Sequence, residues 1–166
     1  MNRRTLLTGM GALALAMRFV PASAAEPILT LRGAFARAGA DGTASFSLAD
    51  LDALPQTTFR TTTPWHSGPV EFSGVSVADF LAAMGVPPTE GSMQLIALND
   101  YVVDTKASDL TSGEALLATR MNGQPMAVTD KGPVFVVFPF DSRTELQHQS
   151  YYSRAVWQLA EIDLAP

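Results

Sequence analysis

The chain has no cysteine. Disulfides, thiolate nucleophiles, Cys-based zinc sites and thiolate-ligated metals are therefore excluded at the outset. Histidine is nearly as scarce. His66 and His148 are the only two, and they are not at metal-ligand spacing, which weighs against a metal site. No Gly-x-Ser-x-Gly elbow is present, so a Ser-His-Asp hydrolase has no sequence support. Basic residues are outnumbered 11 to 16 by acidic ones, for a formal charge of −5. That balance disfavours nucleic acid and anionic membrane surfaces as partners. There is no internal repeat, low-complexity tract or linker, and the apolar fraction of 47% is that of an ordinary globular domain.

The longest apolar stretch lies at the start. Asn2-Arg3-Arg4 precedes an apolar run from Leu6 to Met17, and Pro21-Ala22-Ser23-Ala24-Ala25 supplies small residues. This pattern predicts an export signal over residues 1–25, its apolar core too short to span a membrane. Arg3-Arg4 followed by Leu6-Leu7 partly matches a twin-arginine signal, so the Sec and twin-arginine routes both stay open. Cleavage would remove three arginines and no acid, leaving 8 basic against 16 acidic residues and a formal charge of −8. The expectation is a periplasmic protein with one domain over residues 26–166.

Within that domain, Ile28 to Gly33 alternates like a half-buried strand. Ser47 with Asp50 three residues on marks a capped helix whose Leu48, Leu51 and Leu54 share a face, ended by Pro55. Thr57 to Thr63 is β-branched and reads as a strand, as does Val70 to Ser73. Ser76 and Asp79 begin a helix with Val77, Phe80, Leu81 and Met84 on its buried stripe, closed by Gly85. Met93 to Leu98 and Tyr101 to Thr105 are strand-like, and Asn122-Gly123 after Leu116 to Met121 signals a hairpin. Gly132 to Pro139 reads as a central strand and Trp157 to Leu164 as a last one. The pattern predicts an α+β domain, mostly β, with mixed sheets and short flanking helices.

The stretch Thr61 to Gly68 concentrates chemistry in a loop at a strand end, with Trp65, His66 and several hydroxyls. A flat heterocycle needs an aromatic face and acceptors for its N–H donors. Trp65 is the candidate stacking face, although a Trp packing its loop onto the core is the plainer reading. Asp100 is the candidate acceptor, or else a turn residue in Asn99-Asp100. Asp141 is a reserve carboxylate. Arg154 is a ligand donor or a surface ion pair. Tyr101 adjoins Asp100, and Arg143, Tyr151 and Tyr152 are candidate rim residues.

Several of these segments together carry a resemblance. Phe46-Ser47-Leu48 to Leu54-Pro55, Phe72-Ser73-Gly74-Val75 with its helix, Asn99-Asp100-Tyr101, Leu117-Ala118-Thr119, Asn122-Gly123-Gln124-Pro125-Met126, Lys131-Gly132-Pro133 and the Trp157 strand occur in the order of the oxidoreductase molybdopterin-binding domain. The chain resembles that family, which implies the sulfite-oxidase molybdopterin-binding fold. Members working as molybdenum enzymes place a Cys thiolate on the metal where this chain has Thr61. The Lys-rich stretch that helps hold the cofactor phosphate reads Ser153-Arg154-Ala155-Val156-Trp157 here. Both departures weigh against the molybdenum cofactor. The chain is similar to a Cys-free, exported branch of periplasmic pterin-binding regulators (PruR-like). That likeness implies a non-catalytic protein that binds a reduced pterin, such as a tetrahydropterin. It also implies a partner, the periplasmic domain of a membrane-bound cyclic-di-GMP diguanylate cyclase/phosphodiesterase, and hence a link to biofilm control. A molybdenum-cofactor oxidoreductase lacking the Cys ligand and a non-catalytic accessory protein are the alternatives.

Overall fold

The computed structural model of the protein describes residues 25–164. The export signal expected over residues 1–25 lies outside the described residues except for Ala25. In chain order the domain opens with β1 (Pro27–Arg32), β2 (Thr43–Ser47), α1 (Leu48–Asp52), β3 (Gln56–Thr61), β4 (Val70–Ser76) and α2 (Val77–Met84). It continues with β5 (Ser92–Ala97), β6 (Val102–Lys106), α3 (Ala107–Ser112), β7 (Leu116–Met121) and β8 (Gln124–Pro125). It closes with β9 (Phe135–Val137), α4 (Gln149–Tyr152) and β10 (Leu159–Leu164).

The strands form two sheets of five. One runs β2-β1-β10-β5-β6 and is mixed, because β1 and β10 are parallel with Thr30 opposite Glu161. The other runs β3-β4-β7-β8, with β9 also on β7, and is antiparallel throughout. The expected architecture is therefore the observed one, a mostly β fold with four short helices among the described residues.

Local chemistry explains most of these elements. The Ser47 hydroxyl accepts from the Asp50 N–H at 3.3 Å while the Asp50 carboxylate accepts from the Ser47 N–H at 2.8 Å, closing a capping box on α1. Ser76 caps α2 in the same sense, and Gly85 ends it at φ 74°. The four expected residues of α2 are buried, with Phe80 edge-on to Phe46 at 5.2 Å. Asn122 (φ 50°) and Gly123 (φ 78°) make the left-handed pair that a two-residue hairpin needs between β7 and β8.

The first helix starts as expected, at Leu48 behind its N-cap Ser47, which is also the last residue of β2. Three other expectations change. The apolar run Gly132 to Pro139 is buried from Val134 to Phe138 as expected, but β9 pairs with β7 alone. Its other side meets irregular chain, where the Val136 N–H donates to Val156 O and Val134 O accepts from the Leu159 N–H. A buried apolar run therefore marks a strand enclosed by the fold and not one central in a sheet. The last strand begins at Leu159, because Gln158 is left-handed (φ 53°) and breaks the extended backbone after Trp157. Helix α3 has no side-chain cap and α4 only four residues, so neither had a sequence signature.

Candidate functional site

A cleft of about 460 Å³ opens where three non-regular segments meet: the loop after β3, the turn between β5 and β6, and the stretch from α4 to β10. Its aromatic lining is Trp65, Tyr101, Tyr152 and Trp157, and its polar lining is Asn99, Gln149, Ser153 and Gln158.

The loop is held before it reaches the cleft. Thr61 is fully buried, and its hydroxyl donates to Thr62 O at 3.2 Å and accepts from the Asp141 N–H at 3.0 Å. The Asp141 carboxylate accepts from the Thr62 N–H at 2.6 Å and from the Thr62 hydroxyl. Pro64 then sets a turn in which the His66 N–H faces Thr63 O at 3.5 Å. The Thr63 hydroxyl accepts from the Trp65 N–H at 3.3 Å and lies 2.7 Å from His66 Nδ1.

Trp65 emerges from this turn half-buried. Its ring meets Phe135, Phe140, Tyr152 and Trp157 edge to face, at 6.0, 6.3, 6.1 and 5.5 Å. It packs the loop to the core, the plainer of the two readings, and its ring also lines the cleft. Trp157 is 40% exposed, and its ring carries the Lys131 ammonium at 4.3 Å, a cation–π contact. The two indoles stand at 83°, so a planar guest can stack on one and meet the edge of the other.

The other candidates separate. Tyr101 lines the cleft, and its hydroxyl donates to Ser153 O at 3.3 Å. Asp100 is exposed and outside the lining, the left-handed residue (φ 64°) of a turn whose N–H donates to Ala97 O. That is the turn reading considered for it, and its neighbours Asn99 and Tyr101 are the residues facing the cleft. Asp141 is engaged in tying down the loop. Arg154 donates to Ser150 O at 3.1 Å and to Asp109 at 3.0 Å, an ion pair away from the lining. Arg143 bonds Ser112 O and lies 3.5 Å from Glu114, and Tyr151 packs on Phe138, so only Tyr152 of the three rim residues reaches the cleft. Trp157, Gln158, Gln149 and Asn99 were missed. The Trp157-Gln158 pair was absorbed into an alternating strand pattern, and only the left-handed Gln158 reveals that both stand outside it.

His66 lies behind the loop, edge-on to Phe72 at 5.8 Å and outside the cleft lining. Burial first, and the positive charge of Lys131 second, lower its pKa below the usual 6.5. In the neutral ring with its proton on Nε2, Nδ1 accepts from the Thr63 hydroxyl, which stays free to accept from Trp65. The unfolded chain binds this proton at higher pH than the folded one. Stability is therefore expected to be unaffected by His66 above the ordinary histidine range and to fall as pH drops below about 6.5. Asp50 and Asp52, whose pKa values are held below the usual 3.8 by Ser47 and Arg120, lose their contributions only at lower pH. Denaturation midpoints between pH 7 and 5 should thus slope in the wild type and flatten in His66→Gln.

The sequence model of the oxidoreductase molybdopterin binding domain matches residues 37–141. No curated protein matches the chain. Among solved structures, the fold is similar to that of the sulfane dehydrogenase SoxCD from Paracoccus pantotrophus, with a TM-score of 0.56 and 16% identity. The match covers 82% of this chain and 37% of that one, so the chain spans well under half the length of that protein. At that identity the likeness bears on fold.

Thr61 stands where the resemblance puts a metal-binding thiolate. Its neutral hydroxyl is enclosed and already donates and accepts. No group of three or more His, Asp or Glu converges among the described residues. The cleft lining itself contains no Lys or Arg, and the Lys131 ammonium beside it is engaged on the Trp157 ring. This donor set does not fit a thiolate-held molybdenum cofactor.

Proposed function

Because the chain belongs to the oxidoreductase molybdopterin-binding domain family, we propose that it is a pterin-binding protein of that fold, non-catalytic, holding a free reduced pterin. The observation that carries this reading is the aromatic corner of Trp65 and Trp157 over a cleft of about 460 Å³, beside a buried and engaged Thr61. A pterin is a flat bicycle with a polar edge, and such a cleft offers it one stacking face, one aromatic edge and neutral polar groups. Tyr101 and Tyr152 close the apolar sides.

The protein is exported to the periplasm by its N-terminal signal and relays the bound pterin to the periplasmic domain of a membrane-bound diguanylate cyclase/phosphodiesterase. The export pattern in the sequence and the resemblance to Cys-free pterin-binding regulators support this part. Relay requires that the pterin bind one surface conformation better than another, since a ligand shifts an equilibrium only through differential affinity. The loop carrying Trp65 is where cleft and surface are joined.

Titration with a tetrahydropterin under anaerobic conditions, followed by Trp fluorescence, tests the reading. Saturable quenching is expected, since both indoles are at the cleft. An unresponsive protein, or stoichiometric molybdenum in protein purified from its native host, would overturn it.

A further inference from the structure

Two of the amide side chains lining the cleft, those of Gln158 and Asn99, are hydrogen-bonded to the backbone at one end. The Gln158 NH₂ donates to Val128 O at 2.8 Å, and a carbonyl can accept only from the nitrogen end of the amide. The residue's backbone is fixed as well, its N–H donating to Lys131 O and its carbonyl accepting from the Leu98 N–H, each at 2.9 Å. What remains is the second N–H of the amide and Oε1, an acceptor with no partner among the described residues. Asn99 is pinned in the opposite sense. Its Oδ1 accepts from the Tyr101 N–H at 3.3 Å, and its NH₂ is the end with no partner among the described residues. The Leu98–Gln158 backbone bond makes Asn99 a neighbour of Gln158, and both line the cleft.

We propose that Asn99 and Gln158 form a pinned donor–acceptor pair that selects a lactam edge, an oxo group beside a ring N–H. The inference rests on the pterin reading of the cleft and deepens it. The Asn99 NH₂ donates to the oxo group, and Gln158 Oε1 accepts from the adjacent N–H. A freely rotating amide adapts to either polarity by flipping. These two cannot, because a flip would set the Gln158 oxygen against Val128 O and the Asn99 NH₂ against the Tyr101 N–H. The pair therefore recognises its ligand through neutral groups, where a carboxylate was the expected acceptor. It rejects a ring in which an amino group replaces the oxo group, since that change also removes the ring proton and reverses both partners.

The test compares two probes on the same protein, a tetrahydropterin and the matched diamino compound in which the ring oxo group is replaced by an amino group. The wild type is expected to prefer the oxo compound by at least about tenfold, the cost of setting donor against donor and acceptor against acceptor at the ring edge. Asn99→Asp keeps the oxygen that accepts from Tyr101 and converts the donor into an acceptor, so the preference should vanish or invert. Gln158→Met removes the acceptor and should bring the ratio toward one. Because each readout is a ratio within one protein, partial unfolding of a variant does not imitate the result. Equal binding of the two probes by the wild type, or a ratio unmoved in both variants, overturns this inference and leaves the pterin reading standing. Binding of neither probe overturns both.

Discussion

Trp65→Ala is expected to weaken tetrahydropterin binding by about 1–3 kcal/mol, roughly five- to 150-fold, the range for removing an aromatic platform from under a flat base. The same change should lower stability. Trp→Ala in a full core costs about 3–5 kcal/mol, and a half-buried ring touching four aromatic neighbours should lose about half of that. The two effects are separable. Trp65→Phe keeps a face for the ligand and much of the packing, so it should recover most of the stability and part of the affinity. Trp157→Ala removes a more exposed ring, so it should cost less than about 1 kcal/mol of stability while still reducing affinity. Calorimetric titration beside denaturant unfolding reads both quantities. If Trp65→Ala and Trp157→Ala both bind as the wild type does, the ligand is not in this cleft.

Gly74→Ala should be among the most damaging single changes to the fold. A Cβ at this position would lie 2.1 Å from Leu117 O and 3.0 Å from the Ala118 Cα, all backbone of the neighbouring strand. Gly74 sits at the register shift between β4 and β7, inside the antiparallel sheet, and no side chain there can rotate away. The strands must separate locally, at a cost of about 3 kcal/mol or more. Gly68 provides the contrast. Its φ is 78° but a Cβ would meet nothing within 4 Å, so Gly68→Ala carries only backbone strain of about 1–2 kcal/mol. Urea midpoints of the two variants should differ clearly, and equal midpoints would mean that the close β4–β7 approach is not the constraint described.

The distinction between these glycines was not legible in the chain. Phe72-Ser73-Gly74-Val75 reads as an ordinary strand fragment, and only the position of β7 shows that residue 74 has no room for a side chain. The capped helices were legible, because a capping box is a local exchange of hydrogen bonds between residues three apart. The Asn122-Gly123 turn was legible for a similar reason, since its backbone demands left-handed residues. The site was half legible. Trp65 announced itself as a large aromatic after Pro64 in a hydroxyl-rich loop. Asp100 and Asp141 drew attention as carboxylates near strand ends, yet one serves a turn and the other ties down Thr62.

By itself the sequence determined what is short in range or a matter of composition. Those are the absence of thiolate chemistry, the acidic balance, the caps and turns, and the order of segments that carries the family. The tertiary structure alone decided which residues face the cleft. Residues 65, 99, 101, 152, 157 and 158 come from three separate segments, brought together by β10 pairing with β5 and by the β9 stretch packing beneath Trp65. Which end of an amide remains free depends on a carbonyl or N–H that happens to lie beside it, and for Gln158 that carbonyl is 30 residues away. Such pairings are set by the packing of the whole domain, so no local pattern in the chain encodes them.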